Sequence, residues 1–101
     1  MRKKEPFVSV LICCYNAEKF IAQTLKSILD QNYRNMEVLI LDNSSDDDTL
    51  KILRSNKRSN EKRQIRIFHS DKNLGPYKGL NFLLDKTEGD YISIADHDDI
   101  Y

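Results

Sequence analysis

Apolar residues gather in four short runs, Val8 to Cys13, Glu37 to Leu41, Ile65 to Phe68 and Tyr91 to Ala95, with polar or helix-periodic segments between them. Strands that alternate with helices indicate a parallel α/β sheet. The first two runs are almost continuously apolar, the pattern of strands covered on both faces, so they are predicted to be central. Ile65-Arg66-Ile67-Phe68 is shorter and more polar and suits an edge.

Between the first two strands Ile21, Leu25, Ile28 and Leu29 fall at i, i+4, i+7 and i+8, one apolar helix face, with Asn16 as the expected cap and Asn32 as the stop. A second helix is expected from Ser45, with Asp48 completing a capping box and Leu50 and Leu53 turned inward, fading near Asn56. From Lys51 to Arg66 seven basic residues face one acid, Glu61, and no apolar residue lies between Leu53 and Ile65, as in a solvated helix end and loop. A third helix is expected around Pro76, burying Leu80, Leu83 and Leu84 and stopping before Gly89.

A length of 101 residues holds one compact core. Hydrophobic residues at 40%, charged residues at 32% and only 3 glycines and 2 prolines exclude collagen-like, low-complexity and wholly disordered chains. Sixteen basic and sixteen acidic residues cancel, so no global field draws the chain to nucleic acid or anionic lipid. No run approaches the roughly 20 apolar residues of a membrane span. Arg2, Lys3 and Lys4 ahead of Val8 to Cys14 mimic a short signal peptide, but Glu5 and Pro6 interrupt it and no small-residue cleavage site precedes Tyr15 and Asn16. Cys13 and Cys14 are neighbours on a strand, face opposite sides and do not readily bridge, which suggests a reducing compartment and buried small hydrophobes.

Each predicted strand ends in a polar cluster: Tyr15-Asn16, Asp42-Asn43-Ser44-Ser45, Ser70-Asp71-Lys72-Asn73 and Asp96-His97-Asp98-Asp99. In a parallel sheet all four emerge on one edge, where open α/β sheets bind ligands at the point of strand-order reversal. Asp96 and Asp98 are two apart and share a side of an extended strand. Two like-facing carboxylates suit a hard divalent cation, Mg2+ or Mn2+, shared with substrate phosphate oxygens. Asp46-Asp47-Asp48 reads instead as dipole-stabilised acids in the first turn of the second helix. Asp42 and Asn43 end a buried strand where a base or ribose can be hydrogen-bonded, and Tyr15 offers a ring to a nucleobase. Lys72 and Lys78 are candidates to reach a diphosphate. His69 and His97 lack zinc spacing, and neither G-x-G-x-x-G nor G-x-x-x-x-G-K-[ST] occurs, which argues against dehydrogenases and P-loop enzymes.

Four segments in order, VSVLICCYNAEKFIAQTLKSILDQ, MEVLILDNSSDDDT, HSDKNLGPYKGLN and EGDYISIADHDDIY, make the chain from Pro6 to Tyr101 resemble the N-terminal half of a family two glycosyltransferase with the GT-A fold. The resemblance implies a three-layer α/β fold, a mostly parallel sheet with flanking helices forming a Rossmann-like half, over residues 1–101. It implies that Tyr15, Asp42, Asn43 and Asp96 bind the nucleotide of a nucleoside diphosphate sugar, with a UDP-sugar favoured. Asp98 is the implied ligand for Mn2+ or Mg2+, Asp99 supports its loop, and Asn73, Gly75 and Asn81 fit the family's turn and third helix. The familiar Asp-Asp-Gly-Ser turn is Asp42-Asn43-Ser44-Ser45 here, which removes a charge from the base site. The arginine of the family's third helix is absent from Gly79-Leu80-Asn81, and Lys78 is the substitute for a phosphate contact. The implied reaction is an inverting sugar transfer to a glycan or lipid-linked acceptor in polysaccharide or envelope assembly, cytoplasmic or at the inner face of the membrane. The acceptor half and the catalytic base are expected downstream of Tyr101, so this portion alone is expected to be inactive. Two rival readings use the same carboxylates: a metal-dependent nucleotidyl- or phosphoryl-transfer enzyme, and a non-catalytic nucleotide-binding module. An Asp-x-Asp phosphatase usually carries its motif after the first strand, which here ends in Cys13-Cys14-Tyr15.

Overall fold

The computed structural model describes residues 5–31 and 33–96. Asn32, His97, Asp98, Asp99 and Tyr101, named above, lie outside the described residues. Seven elements alternate: β1 (Val8–Cys14), α1 (Ile21–Leu29), β2 (Met36–Asn43), α2 (Thr49–Ser59), β3 (Gln64–Ser70), α3 (Gly75–Leu84) and β4 (Tyr91–Asp96). The strands form one sheet in the order β3-β2-β1-β4, with every neighbouring pair parallel. The apolar β1 and β2 are central and β3 is an edge, as their composition required.

Alternation of side chains splits the core into two layers. Val10, Ile12, Val38, Ile40 and Ile65 pack with Ile21, Leu25 and Ile28 of α1 and Leu53 of α2. Leu11, Leu39 and Leu41 pack on the other face with Leu83 of α3. The result is helix, sheet, helix. On β4 the apolar residues Ile92 and Ile94 remain exposed.

Leu84, expected inside, is exposed, because α3 is seated through Gly79 and Leu83 while Leu84 lies to one side of that contact stripe. Helix starts also differ from the local reading. Asn16 does not cap α1, and Ser45 and Asp48 form no capping box. The parallel register lays the β1–α1 and β2–α2 loops side by side, and these polar groups bond across: Asn16 N–H donates to Ser45 Oγ at 2.9 Å and Asp46 N–H to Asn16 Oδ1 at 2.7 Å. Asp46, Asp47 and Asp48 precede α2, which starts at Thr49 and runs to Ser59, beyond Asn56. Asp47 Oδ1 accepts the N–H of Thr49, and its Oδ2 accepts that of Glu18. Burial pushes the Asp47 carboxyl up, but these hydrogen bonds together outweigh it and hold the group below its usual range.

The opposite edge of the sheet is closed by a polar knot around Glu37, which is only 2% exposed. Its Oε2 accepts from Ser9 Oγ at 2.6 Å and from Glu88 N–H at 2.8 Å, while Oε1 meets Arg66 at 3.2 Å. Burying this carboxylate is tolerable because each oxygen has a donor.

Candidate functional site

The chain walks from β1 to β2 to β3 in one direction and then crosses back to place β4 beside β1. Strand order therefore reverses between β1 and β4, and the crevice outside their carboxyl ends is the ligand position such a sheet offers. Register sets what gathers there. Cys13 pairs with Asp96, Cys14 with Asp42, Asp42 with His69, and Asn43 with Ser70. Tyr15 follows β1 directly, at the carboxyl end of that strand, and is 41% exposed. Asp96 is the last residue of β4.

Asp42 and Asn43 sit at the end of β2 but face opposite layers, and both are closed to solvent at 0% and 3% exposure. Asp42 Oδ2 meets His69 Nδ1 at 3.0 Å, while Asp42 Oδ1 is buried with no hydrogen-bond partner among the described residues. His69 Nε2 lies 3.4 Å from Asp71 Oδ1. Asn43 braces the loop ahead of α3: its Oδ1 accepts Leu74 N–H at 2.7 Å and its Nδ2 donates to Gly75 O at 3.3 Å. Gly75 adopts φ +80°, a left-handed turn that glycine enters without a Cβ clash. This turn sets the start of α3, with Pro76 in its first turn and Lys78 exposed.

The two cysteines are thiols divided between the layers. Cys14 Sγ–H donates to Leu41 O at 3.5 Å, and burial, then the negative charge of Asp42, Cys13 and Asp47, pushes its thiol up to about 12. Burial also raises the Cys13 thiol, opposed by a hydrogen bond from Asn43.

The Asp42–His69 pair is the feature that reading by motif missed. The signal was present in the alternation: Ile65 and Ile67 face the α1 and α2 layer, so His69 two positions on faces it as well, beside Asp42. Lys72 is exposed in the β3–α3 loop. Among the described residues no group of three or more His, Cys, Asp or Glu is placed to hold a metal ion.

A family model, Glycosyl transferase family 2, matches residues 9–101. The chain belongs to that family. The putative teichuronic acid biosynthesis glycosyltransferase TuaG of Bacillus subtilis is 33% identical over 98% of this chain and 38% of its own length. Among solved structures, the mannosyltransferase PcManGT from Pyrobaculum calidifontis in complex with GDP-Man and Mn2+ superposes with a TM-score of 0.90 at 27% identity, covering 94% of this chain and 28% of that one. S. aureus TarS in complex with UDP-GlcNAc superposes at 0.82 with 32% identity, over 91% of this chain and 26% of that one. This family 2 chain has the GT-A-type α/β fold of those glycosyltransferases, and it spans well under half the length of the relatives it matches.

Proposed function

We propose that residues 1–101 are the nucleotide-sugar-binding half of a glycosyltransferase that moves a sugar from a nucleoside diphosphate to a glycan or lipid-linked acceptor. The observation that carries this reading is the reversal of strand order between β1 and β4, with exposed Tyr15 directly after β1 and Asp96 as the last residue of β4. Two relatives of this fold are in complex with nucleotide sugars, GDP-Man and UDP-GlcNAc, which supports the same ligand class here.

In this reading Tyr15 packs against the base, and Lys78 near the start of α3 contacts the diphosphate. The part of Asp42 and Asn43 runs through the groups they hold. Asp42 fixes His69, and Asn43 fixes the Leu74–Gly75 turn that bounds the base and ribose. Asp96 is assigned to the ribose. Read from the sequence, Asp96 and Asp98 carry hard carboxylate oxygens of the kind Mg2+ and Mn2+ take, and they would be the ligands of a divalent cation. Asp98 would hold it. When bound, such an ion supplies Lewis-acid neutralisation of the charge on the departing diphosphate.

Direct displacement by the acceptor hydroxyl inverts the anomeric centre and requires a base to take its proton. That base and the acceptor site belong downstream of Tyr101 in this reading, so residues 1–101 bind donor without turning it over. Among the described residues no helix is long and apolar enough to cross a membrane. We place the enzyme in cell-envelope polysaccharide assembly at the cytoplasmic side of the membrane, a proposal supported by the name of the teichuronic acid relative.

Titration with UDP, GDP and dTDP, with and without Mn2+, followed by amide NMR, tests this. Metal-dependent shifts at Tyr15, Asn43 and Asp98 are expected, strongest with UDP. Equal binding without metal, together with an Asp98→Ala variant of unchanged affinity, would remove the metal role. Absence of any shift at Tyr15 would remove the site.

A further inference from the structure

A second cleft, of about 360 Å³, opens between α2 and the end of β3, on the sheet layer opposite α3. Lys51, Arg54 and Arg58 line it. They recur at i, i+3 and i+7, so they form one stripe along α2 spanning about 10 Å. All three are exposed, and among the described residues none of their side chains makes an ion pair or hydrogen bond.

The acids of the same cleft are largely engaged inward. Asp47 accepts from Thr49 and Glu18, and Asp42 holds His69, which leaves Asp48 as the open carboxylate on the rim. Lys51 lies in the first turn of α2, whose N-cap residue is Asp48. Three unpaired cations on one rigid face, two of them guanidinium forks suited to bidentate oxyanion contacts, are matched to phosphate oxygens.

We propose that the α2–β3 cleft, which adjoins the nucleotide site at Asp42 and His69, is a phosphate-binding site with its own cationic lining of Lys51, Arg54 and Arg58. The ligand chemistry is a phosphate or diphosphate group, from either of two sources: a soluble phosphate compound or the phosphodiester headgroups of an anionic bilayer. Arg54 and Arg58 grip the oxyanion, and Lys51 adds a point charge at the helix start.

The test uses the full chain with its nucleotide crevice saturated by UDP and Mn2+. Inorganic phosphate and pyrophosphate are titrated while the amides of Lys51, Arg54 and Arg58 are followed. In parallel the protein is sedimented with vesicles of phosphatidylglycerol or of phosphatidylcholine. Saturable shifts at those amides support a soluble source; sedimentation with phosphatidylglycerol alone supports the lipid source. In either case R54E/R58E should weaken binding about tenfold or more, and added salt should weaken it too. The milder K51Q/R54Q variant should lower it in the same direction, while the UDP response at Tyr15 stays as in the parent. Binding of neither probe, or binding unchanged in both variants, would overturn the proposal.

Discussion

Gly79 of α3 lies so close to β1 that a β-carbon there would come within 2.5 Å of Cys13 Sγ and 3.3 Å of Leu41 Cδ2. In an exposed helix interior Gly→Ala stabilises by about 1 kcal/mol. Here the sign should reverse. Gly79→Ala is expected to destabilise by about 1–3 kcal/mol through overpacking, read as a lower urea midpoint with an unchanged slope. The paired Cys13→Ala, Gly79→Ala variant should recover part of the loss, and a stabilised single variant would show that α3 is not held this close.

His69 Nδ1 lies 3.0 Å from Asp42 Oδ2, a carboxylate with 0% side-chain exposure, although the ring itself is 38% exposed. Removing the ring leaves Asp42 buried with neither oxygen satisfied. His69→Ala should cost about 2 kcal/mol, and the same change in an Asp42→Asn background should cost clearly less. Strict additivity in that double-mutant cycle would mean the pair is not coupled.

Cys14 ties stability to alkaline pH. Its thiol rises from 9.0 to about 12 on folding, so the folded state favours the neutral form. Stability from this group is intact below pH 9.0 and declines as pH climbs toward 12. Cys14→Val should therefore lose less stability than the parent across that interval. At pH 8 iodoacetamide should label Cys14 only after unfolding, which mass spectrometry of native and urea-treated protein would show.

Tyr15 is the expected stacking platform for the base. Tyr15→Ala should weaken UDP binding about tenfold, the worth of one base on one ring, whereas Tyr15→Phe keeps the ring face and should bind nearly as the parent does. Loss of affinity in both variants would transfer the role from the ring to the hydroxyl.

Element type and order were legible in the chain because they depend on local periodicity. Near-continuous apolar runs marked β1 and β2 as central, mixed Ile65 to Phe68 marked an edge, and Pro76 marked the start of α3. Strand ends were read short. The ladder carries β2 through Asp42 and Asn43 and β3 through His69 and Ser70, since backbone pairing continues past the last apolar side chain. Parallel alternation was also enough to put the described polar strand ends, Tyr15, Asp42, Asn43 and Ser70, on one edge.

The partners of those polar residues were decided only in three dimensions. Asn16 and Ser45 carry the chemistry of helix caps, yet they bond to each other's loops once β1 and β2 bring those loops together. Glu37 looks like an ordinary strand residue until Ser9, Arg66 and Glu88, remote along the chain, converge on it. Periodicity is a property of neighbours in sequence and so survives in the chain itself. A hydrogen bond between segments some 30 residues or more apart exists only after register and crossover have fixed which ends meet.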